Sequence, residues 1–441
     1  MQTKVIKFGG SSLADADQFR KVAAIVKADP TRRYVVASAP GKRCDEDEKV
    51  TDMLYRCHTL ASRHESYDDV FSRIETRYRE IIKGLDLDPT LLDDAFQTIR
   101  AAIGHQPEPD YLASRGEYLN SIILAKFLGF AFLDAASGVF FNEDGSFDDR
   151  HTYKALSALL AAEQYAVIPG FYGSLPNGSI KTFSRGGSDI TGSIVARAAN
   201  AAIYENWTDV SGMLMADPRI VNNPRVIPEI TYRELRELAY MGATVMHEEA
   251  IFPVREARIP INIRNTNAPA DPGTMIVSQS STIPEDTVIT GVAGRLGFSS
   301  ITIEKDRMNT EVGFGRKVLG VLEHYGVSFE HIPTGIDTMS VIAATASITP
   351  HRDAIVGRIF RDTSADSVTI EGSMALIAVV GRGMVSAKGT AGRVCTALAD
   401  SGVNIRMIDQ GSGEHNIILG VDEKDYAAAL NAIYEEFVHE T

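Results

Sequence analysis

The sequence predicts an α/β protein in two parts, a sandwich built on parallel strands followed by two smaller ferredoxin-like βαββαβ units. Short apolar runs at Val5-Ile6, Tyr34-Val35-Val36 and Ala166-Val167-Ile168 alternate with longer stretches of helical period, as parallel strands joined by crossover helices do. A proline-rich turn cluster, Ala268-Pro269-Ala270-Asp271-Pro272-Gly273, and a polar stretch from Ser278 to Asp286 mark a boundary. Beyond it the pattern shortens into a weak internal repeat. A chain of 441 residues, 44% of them hydrophobic, also holds more than one core usually organises.

In the first part, the segment from Cys44 to Leu128 reads as helix throughout, with Ile99, Ala102 and Ile103 on one face and Leu119, Ile122, Ile123 and Lys126 in a later segment. It is a helical excursion inside the first domain. In the second part, one copy of the repeat runs through a strand at Ser299 to Ile303, a helix through Val318, Leu319 and Leu322, and strands at Val327 to Ile332 and Met339 to Ala343. The other uses Ala375 to Val380, a helix through Val394 and Leu398, then Val403 to Ile408 and His415 to Val421.

Composition excludes several classes. A net charge of -14 repels phosphate backbones and anionic membranes, so neither nucleic acid nor a membrane is an expected partner, and a small substrate is. Cys44, Cys57 and Cys395 are scattered without CxxC spacing, which suits a reducing compartment and offers no zinc site. The opening MQTKVIKFGG has no basic n-region and no cleavage site, and no 18-residue uncharged apolar run follows; the expected location is the cytoplasm.

Three motifs carry chemistry. In Lys7-Phe8-Gly9-Gly10-Ser11-Ser12 a strand ends in two glycines ahead of an expected helix, where backbone N–H groups and a helix N-terminus, worth roughly half a positive charge, receive an anion. A bare Gly-Gly is equally at home in a plain turn, but a buried strand rarely spends a lysine without a partner anion. Phe183-Ser184-Arg185-Gly186-Gly187-Ser188-Asp189 repeats this ahead of an Ala-rich helix, and two such starts suggest two ends of one transferred phosphoryl group. Arg185 suits a bidentate carboxylate clamp and Asp189 could orient the lysine or engage a metal; the alternative is that Ser188 and Asp189 are only an N-cap. In Trp207-Thr208-Asp209-Val210-Ser211-Gly212, Thr208 and Asp209 stand where a strand ends, the usual place for ligand contacts in an open sheet. In the following Asp217-Pro218-Arg219, Arg219 is either a phosphate contact or ordinary turn chemistry.

The motifs KFGGSS, SRGEYLN, SRGGSD and TDVSG-DPR stand in the order found in the aspartate kinase family of the amino acid kinase superfamily, and the chain resembles that family over essentially its whole length. The resemblance implies an amino-acid-kinase-type α/β/α sandwich over about 1–285, with an aspartate-binding lobe to about 180 and a nucleotide lobe after it. Tandem ACT domains then follow over about 286–441, the first about 295–371, the second about 372–441 with the strand 288–293.

Carried over residue by residue, the resemblance implies that Lys7, Gly9, Gly10 and Ser11 surround the transferred phosphate, with Lys7 as the main charge stabiliser and Asp189 beside it. Ser38, Thr51, Glu117, Phe171, Arg185, Gly186, Gly187 and Ser188 would line the aspartate pocket, Glu117 holding the amino group and Arg185 the carboxylate that does not react. Thr208, Asp209, Arg219, Thr244 and Val245 would meet ATP. Two positions depart from the family pattern: Thr244 stands where a lysine is common and Leu214 where a tyrosine is common. Arg219, a metal or Lys181 would have to replace that charge.

A carboxylate oxygen is already a nucleophile, so such a kinase needs alignment and charge neutralisation rather than a general base. Mg2+ is expected with the ATP and no separate metal site, since His247-Glu248-Glu249 lacks the second histidine of H-E-x-x-H. The ACT resemblance implies an amino-acid effector, lysine or threonine, at a loop with Met308, Asn309, Val312 and Gly313, and a homodimer or dimer of dimers built through these domains. Other readings are a degenerate kinase that only senses amino acids, a sibling carboxylate kinase, and a Rossmann-type oxidoreductase, the last disfavoured by the absence of G-x-G-x-x-G.

Overall fold

A computed structural model of the chain describes residues 2–105, 107–184, 186–243, 246, 248–279, 288–411, 413 and 415–438. The described residues within Met1–Met213, Val226–Tyr232 and Val245–Ser280 make one compact unit; those within Leu214–Arg225, Arg233–Thr244 and Ser281–Thr441 make another. The expected division at 285 itself lies outside the described residues.

The first unit carries strands β1 (Lys4–Phe8), β2 (Arg32–Ala37), β3 (Ala131–Phe132), β4 (Ala166–Pro169), β5 (Tyr172–Ser174), β6 (Ile180–Thr182), β7 (Ile203–Thr208), β8 (Glu229–Thr231), β9 (Ile261–Asn265) and β10 (Thr274–Val277). All but β5 and β6 form one sheet in the order β3-β4-β2-β1-β7-β9-β10-β8, with β10 alone antiparallel to a neighbour, β9. The apolar runs of the sequence are β1, β2 and β4, buried on both faces as strands of a parallel sheet must be. Because β1, β2, β4 and β7 all run the same way, their C-terminal loops emerge on one edge.

Helices α1 (Ala16–Lys27), α2 (Val50–Ser62), α3 (Asp68–Gly84), α4 (Asp93–Gly104) and α5 (Pro109–Leu128) bury their apolar stripes in a core with Phe8, Val35, Val167 and Trp207. The helical excursion is α2 to α5. The helices α6 (Asp149–Ala162), α7 (Gly187–Ala198) and α9 (Glu248–Glu256) follow in this unit, while α8 (Tyr232–Tyr240) belongs from Arg233 onward to the other. The helix expected just after Ser12 does not follow directly. A 3-10 turn spans Ser11–Leu13, and α1 begins at Ala16 because Asp15 is its N-cap, accepting from the Gln18 backbone N–H at 2.9 Å. The end of β1 therefore has no α-helix dipole of its own.

The second unit is a six-stranded antiparallel sheet, β12-β13-β11-β14-β16-β15, made from β11 (Gly291–Glu304), β12 (Phe329–His331), β13 (Thr338–Ala344), β14 (Ser367–Val380), β15 (Ile405–Asp409) and β16 (Asn416–Asp422). The long strands β11 and β14 lie side by side, Gly291 opposite Val380 and Glu304 opposite Ser367, so each βαββαβ repeat takes half of both. One repeat packs α10 (Phe314–His324) and α12 (Arg352–Thr363), with the short α11 (Thr345–Ile348) between them, over a core with Ile301, Val318, Val341 and Ile355. The other packs α13 (Thr390–Asp400) and α14 (Tyr426–Val438) over Ile377, Val394, Leu419 and Leu430. Ala216 and Val221 are buried in this second core, which is why the segment Leu214–Arg225 belongs with it rather than with the sheet that precedes it in sequence.

The parallel sheet holds one buried ion pair away from its loops. Arg32 on β2 reaches across to Glu205 on β7, Nε to Oε2 at 2.9 Å and Nη2 to Oε1 at 3.3 Å, with side chains 8% and 3% exposed. Removing one partner of such a pair leaves an uncompensated charge. Arg32→Leu should lower the stability of this unit by about 3–5 kcal/mol, measured as a shifted urea midpoint for the transition that quenches Trp207; a shift under about 1 kcal/mol would show that Glu205 finds enough compensation in Lys4.

Candidate active site

The centre of the candidate site is Lys7, whose ammonium is drawn from β1 to Asp189 in the first turn of α7, Nζ to Oδ1 at 2.6 Å. A lysine only 7% exposed needs such a partner. Asn206, opposite Lys7 on the neighbouring strand β7, ties both: its Oδ1 accepts from Lys7 Nζ at 3.4 Å and its Nδ2 donates to Asp189 Oδ1 at 3.0 Å. The motif reading began at Trp207 and missed Asn206. The available signal was a lone amide inside a strand buried like its neighbours.

The glycines after Lys7 are fixed by close backbone contact. Gly9 N–H donates to the Trp207 carbonyl at 3.0 Å, and Gly41 N–H to the Gly10 carbonyl at 2.8 Å. A Cβ on Gly41 would lie 2.5 Å from the Gly10 carbonyl carbon, so the loops after β1 and β2 cross where only glycine fits. Ser11 opens the 3-10 turn half-buried, while Ser12 is turned inward to Thr266, oxygen to oxygen 2.7 Å.

Opposite Lys7, α7 starts at a left-handed Gly186 (φ 58°) with no side-chain cap, so Ser188 and Asp189 are not the N-cap; Asp189 N–H donates to the Gly186 carbonyl at 2.9 Å, and among the described residues the Gly187 and Ser188 N–H groups are left for another acceptor. Gly187 lies against Phe171, itself left-handed at φ 81°, a conformation a bulky residue holds only when its surroundings impose it. They do: Phe171 N–H donates to Thr191 Oγ1 at 3.0 Å and its carbonyl accepts from Phe183 N–H at 2.9 Å.

On the other side of β2, α5 presents Glu117, 6% exposed. Burial pushes its carboxyl up to about 8, against the lowering effect of the Ala39 backbone N–H it accepts and of nearby Arg115. Its Oε2 has no partner among the described residues. Ser38 directly follows β2, its N–H bonded to the Phe8 carbonyl at 3.2 Å, and Thr51 sits half-buried in the first turn of α2.

At the end of β7, Thr208 Oγ1 donates to Asp209 Oδ1 at 3.0 Å, and the Thr208 carbonyl accepts from Thr266 N–H. Arg219 belongs to the segment Leu214–Arg225 of the second unit and is engaged by Asp217, Nη2 to Oδ2 at 2.6 Å, as turn chemistry would have it. Lys181 is bound to Asp110 at 2.8 Å and Thr182 donates to the same carboxylate. Arg185, Thr244 and Val245 lie outside the described residues. In the second unit, Met308 is buried in the core, Asn309 N–H donates to the Ile336 carbonyl at 3.0 Å, Val312 is 99% exposed and Gly313 is the left-handed N-cap of α10. Met308 is therefore core and leaves the loop's free surface to the residues after it.

Such a site, a lysine and glycine backbone facing an uncapped helix start with a buried acid nearby, is the class of a small-molecule kinase. The sequence profile of the amino acid kinase family matches residues 2–265 and that of the ACT domain residues 377–437. Aspartokinase 3 of Bacillus subtilis is 40% identical over 98% of each chain. The crystal structure of Clostridium acetobutylicum aspartate kinase, an allosteric enzyme, superposes with a TM-score of 0.90 at 50% identity over 99% of this chain and 100% of that one. Escherichia coli aspartokinase III in complex with aspartate and ADP gives 0.71 at 25% identity, over 100% of both chains. The chain belongs to the amino acid kinase family and, within it, to the aspartokinases with ACT domains.

If Asn206 holds the lysine, Asn206→Leu should lower kcat by about tenfold to a hundredfold with substrate KM values nearly unchanged, read by steady-state kinetics. An unchanged kcat would leave Asp189 as the sole support of Lys7.

Proposed function

We propose that this enzyme transfers the γ-phosphoryl group of ATP to the side-chain carboxylate of L-aspartate, giving 4-phospho-L-aspartate. The observation that supports it best is the pairing of Lys7 with Asp189 between two anion-receptive loops, one of glycines after β1 and one at the start of α7. The aspartokinase III that binds aspartate and ADP lends the substrate pair.

In this reading the aspartate ammonium lies at Glu117, its carboxylates are received near Ser38, Thr51, Phe171 and the Arg185-Gly186-Gly187-Ser188 loop, and the phosphates lie over Lys7, Gly9, Gly10 and Ser11. Thr208, Asp209, Thr244 and Val245 serve the nucleotide, and Arg219 would do so only on leaving Asp217. The donor set suits phosphate: a buried ammonium and an uncapped helix start, with the Gly9 N–H itself taken by the Trp207 carbonyl. Mg2+ arriving with the nucleotide would supply positive charge to its phosphates, and Asp209, exposed at the end of β7, is the carboxylate that would meet it in this reading. The aspartate oxygen attacks directly; Lys7 neutralises charge on the phosphoryl group in transit, and Asp189 and Asn206 keep the ammonium aimed.

The product suits the first step of lysine, threonine and methionine biosynthesis, with lysine or threonine as feedback effector at the ACT unit and a homodimer as the assembly. Escherichia coli aspartokinase III, alike in fold at 24% identity, is itself described in complex with lysine and aspartate. No described helix is long and apolar enough to cross a membrane, and the cytoplasm is the proposed location.

Hydroxamate trapping of the acyl phosphate tests the reading. Wild type with ATP, Mg2+ and aspartate should give trappable product, reduced about a thousandfold or more in Lys7→Ala and suppressed by lysine or threonine. No product from wild type under any condition would favour an amino-acid sensor without catalysis.

The Glu117 carboxyl, held near 8 in the empty site, sets a pH dependence. Only its ionised form pairs with an ammonium, and below about 8 the empty site holds the proton. Aspartate KM should therefore rise as pH falls, by up to about tenfold per pH unit between 8 and 6, and Glu117→Gln should raise KM and flatten this profile. A wild-type KM flat over that range would place the ammonium elsewhere.

A further inference from the structure

Glu117 is not the only unpartnered acceptor on its helix face. Asn120 follows at i+3, so the two side chains are neighbours on α5, and Asn120 is fully buried. Its Nδ2 donates to the Ser38 carbonyl at 2.7 Å. A carbonyl only accepts, so this bond settles which end of the amide faces β2 and leaves Oδ1 as an acceptor. That oxygen, like Glu117 Oε2, has no partner among the described residues and no contact with solvent. The two side chains are tied to consecutive residues, Glu117 to the Ala39 N–H and Asn120 to the Ser38 carbonyl.

Two buried oxygens without a hydrogen-bond partner are costly to keep unless a ligand brings donors, and once Glu117 is ionised both are pure acceptors. A primary ammonium is the matching group, with three N–H donors and a positive charge, where a hydroxyl would leave one acceptor unmatched and a carboxylate would leave both. We propose that Asn120 and Glu117 together form the receptor for the substrate's ammonium, Asn120 Oδ1 taking a second of its N–H donors, so that Asn120 is a specificity-determining residue for an amino acid over the matching dicarboxylate. This rests on the reading of Glu117 as the ammonium partner.

Asn120 acts on one end of the substrate only, far in bonds from the carboxylate that reacts. Its loss should therefore change which dicarboxylate binds. The amide also has the separate duty of holding the Ser38 carbonyl, and two substitutions divide these roles. Asn120→Leu removes both acceptor and donor. Asn120→Asp keeps an oxygen acceptor and removes the donor.

The test is calorimetric titration of aspartate and of succinate, which lacks the amino group, into the full-length enzyme. Wild type should prefer aspartate strongly. In Asn120→Leu, aspartate affinity should fall about tenfold or more with succinate affinity nearly unchanged, while Asn120→Asp should keep the preference. Equal weakening of both ligands in Asn120→Leu, an unchanged preference, or loss of preference in Asn120→Asp would overturn the assignment to Oδ1 and return Asn120 to a scaffold for Ser38. Wild type that does not discriminate between the two ligands would instead overturn the ammonium reading of Glu117 itself, and absence of acyl phosphate from wild type the proposed function.

Discussion

A buried lysine on a central strand constrains everything around it. Lys7 lies on β1 between β2 and β7, where its charge is tolerable only beside a carboxylate, and the carboxylate comes from a helix 182 positions later in the chain (7 to 189). That pairing requires α7 to begin at the edge of the sheet where β1 ends, and it requires a polar residue at the Asn206 position of β7, since an apolar one would leave the ammonium with a single support. The rest of the site is arranged on this axis. Gly9 and Gly10 leave β1 on one side of Lys7, and the start of α7 closes on the other.

Close backbone approach makes the loops stiff. Gly10 and Gly41 touch without room for a side chain, and Arg77, buried on α3, donates to the carbonyls of Ala14 and Gly41 while paired with Asp47, so the loops after β1 and β2 are held as one piece. Phe171 stores strain at φ 81° against Gly187, fixing the approach to α7. Preorganisation of this kind is what a reaction without a general base requires, because its rate depends on alignment and fixed charge.

The sequence carried the fold through periodicity. The apolar runs at Val5, Tyr34 and Ala166 are the middle of the parallel sheet, and the repeat after Val288 is the pair of βαββαβ units. Lys7 announced itself because lysine is rare in a buried strand. Other features were hidden for physical reasons. The start of α1 is set by Asp15, which caps the Gln18 N–H, and the Ser11–Leu13 turn ahead of it leaves no mark in the apolar period. Asn206 and Asn120 were passed over because a lone amide in an apolar run gives no sign of whether its partners lie far along the chain. Helical period says little about Glu117, since α5 is buried on nearly every side, and the acid's place came from resemblance alone. Nothing local shows that Ala216 and Val221 fill a core made by residues beyond Val288.

The claim on which the account turns is that the Asp189 carboxylate serves the Lys7 ammonium in the transfer step and not in holding substrates. Titrating nucleotide and aspartate separately into Asp189→Asn, with turnover measured on the same preparation, addresses it directly. The account predicts both ligands bound within a few-fold of wild type and turnover reduced by about two orders of magnitude or more. Turnover preserved alongside binding would contradict it.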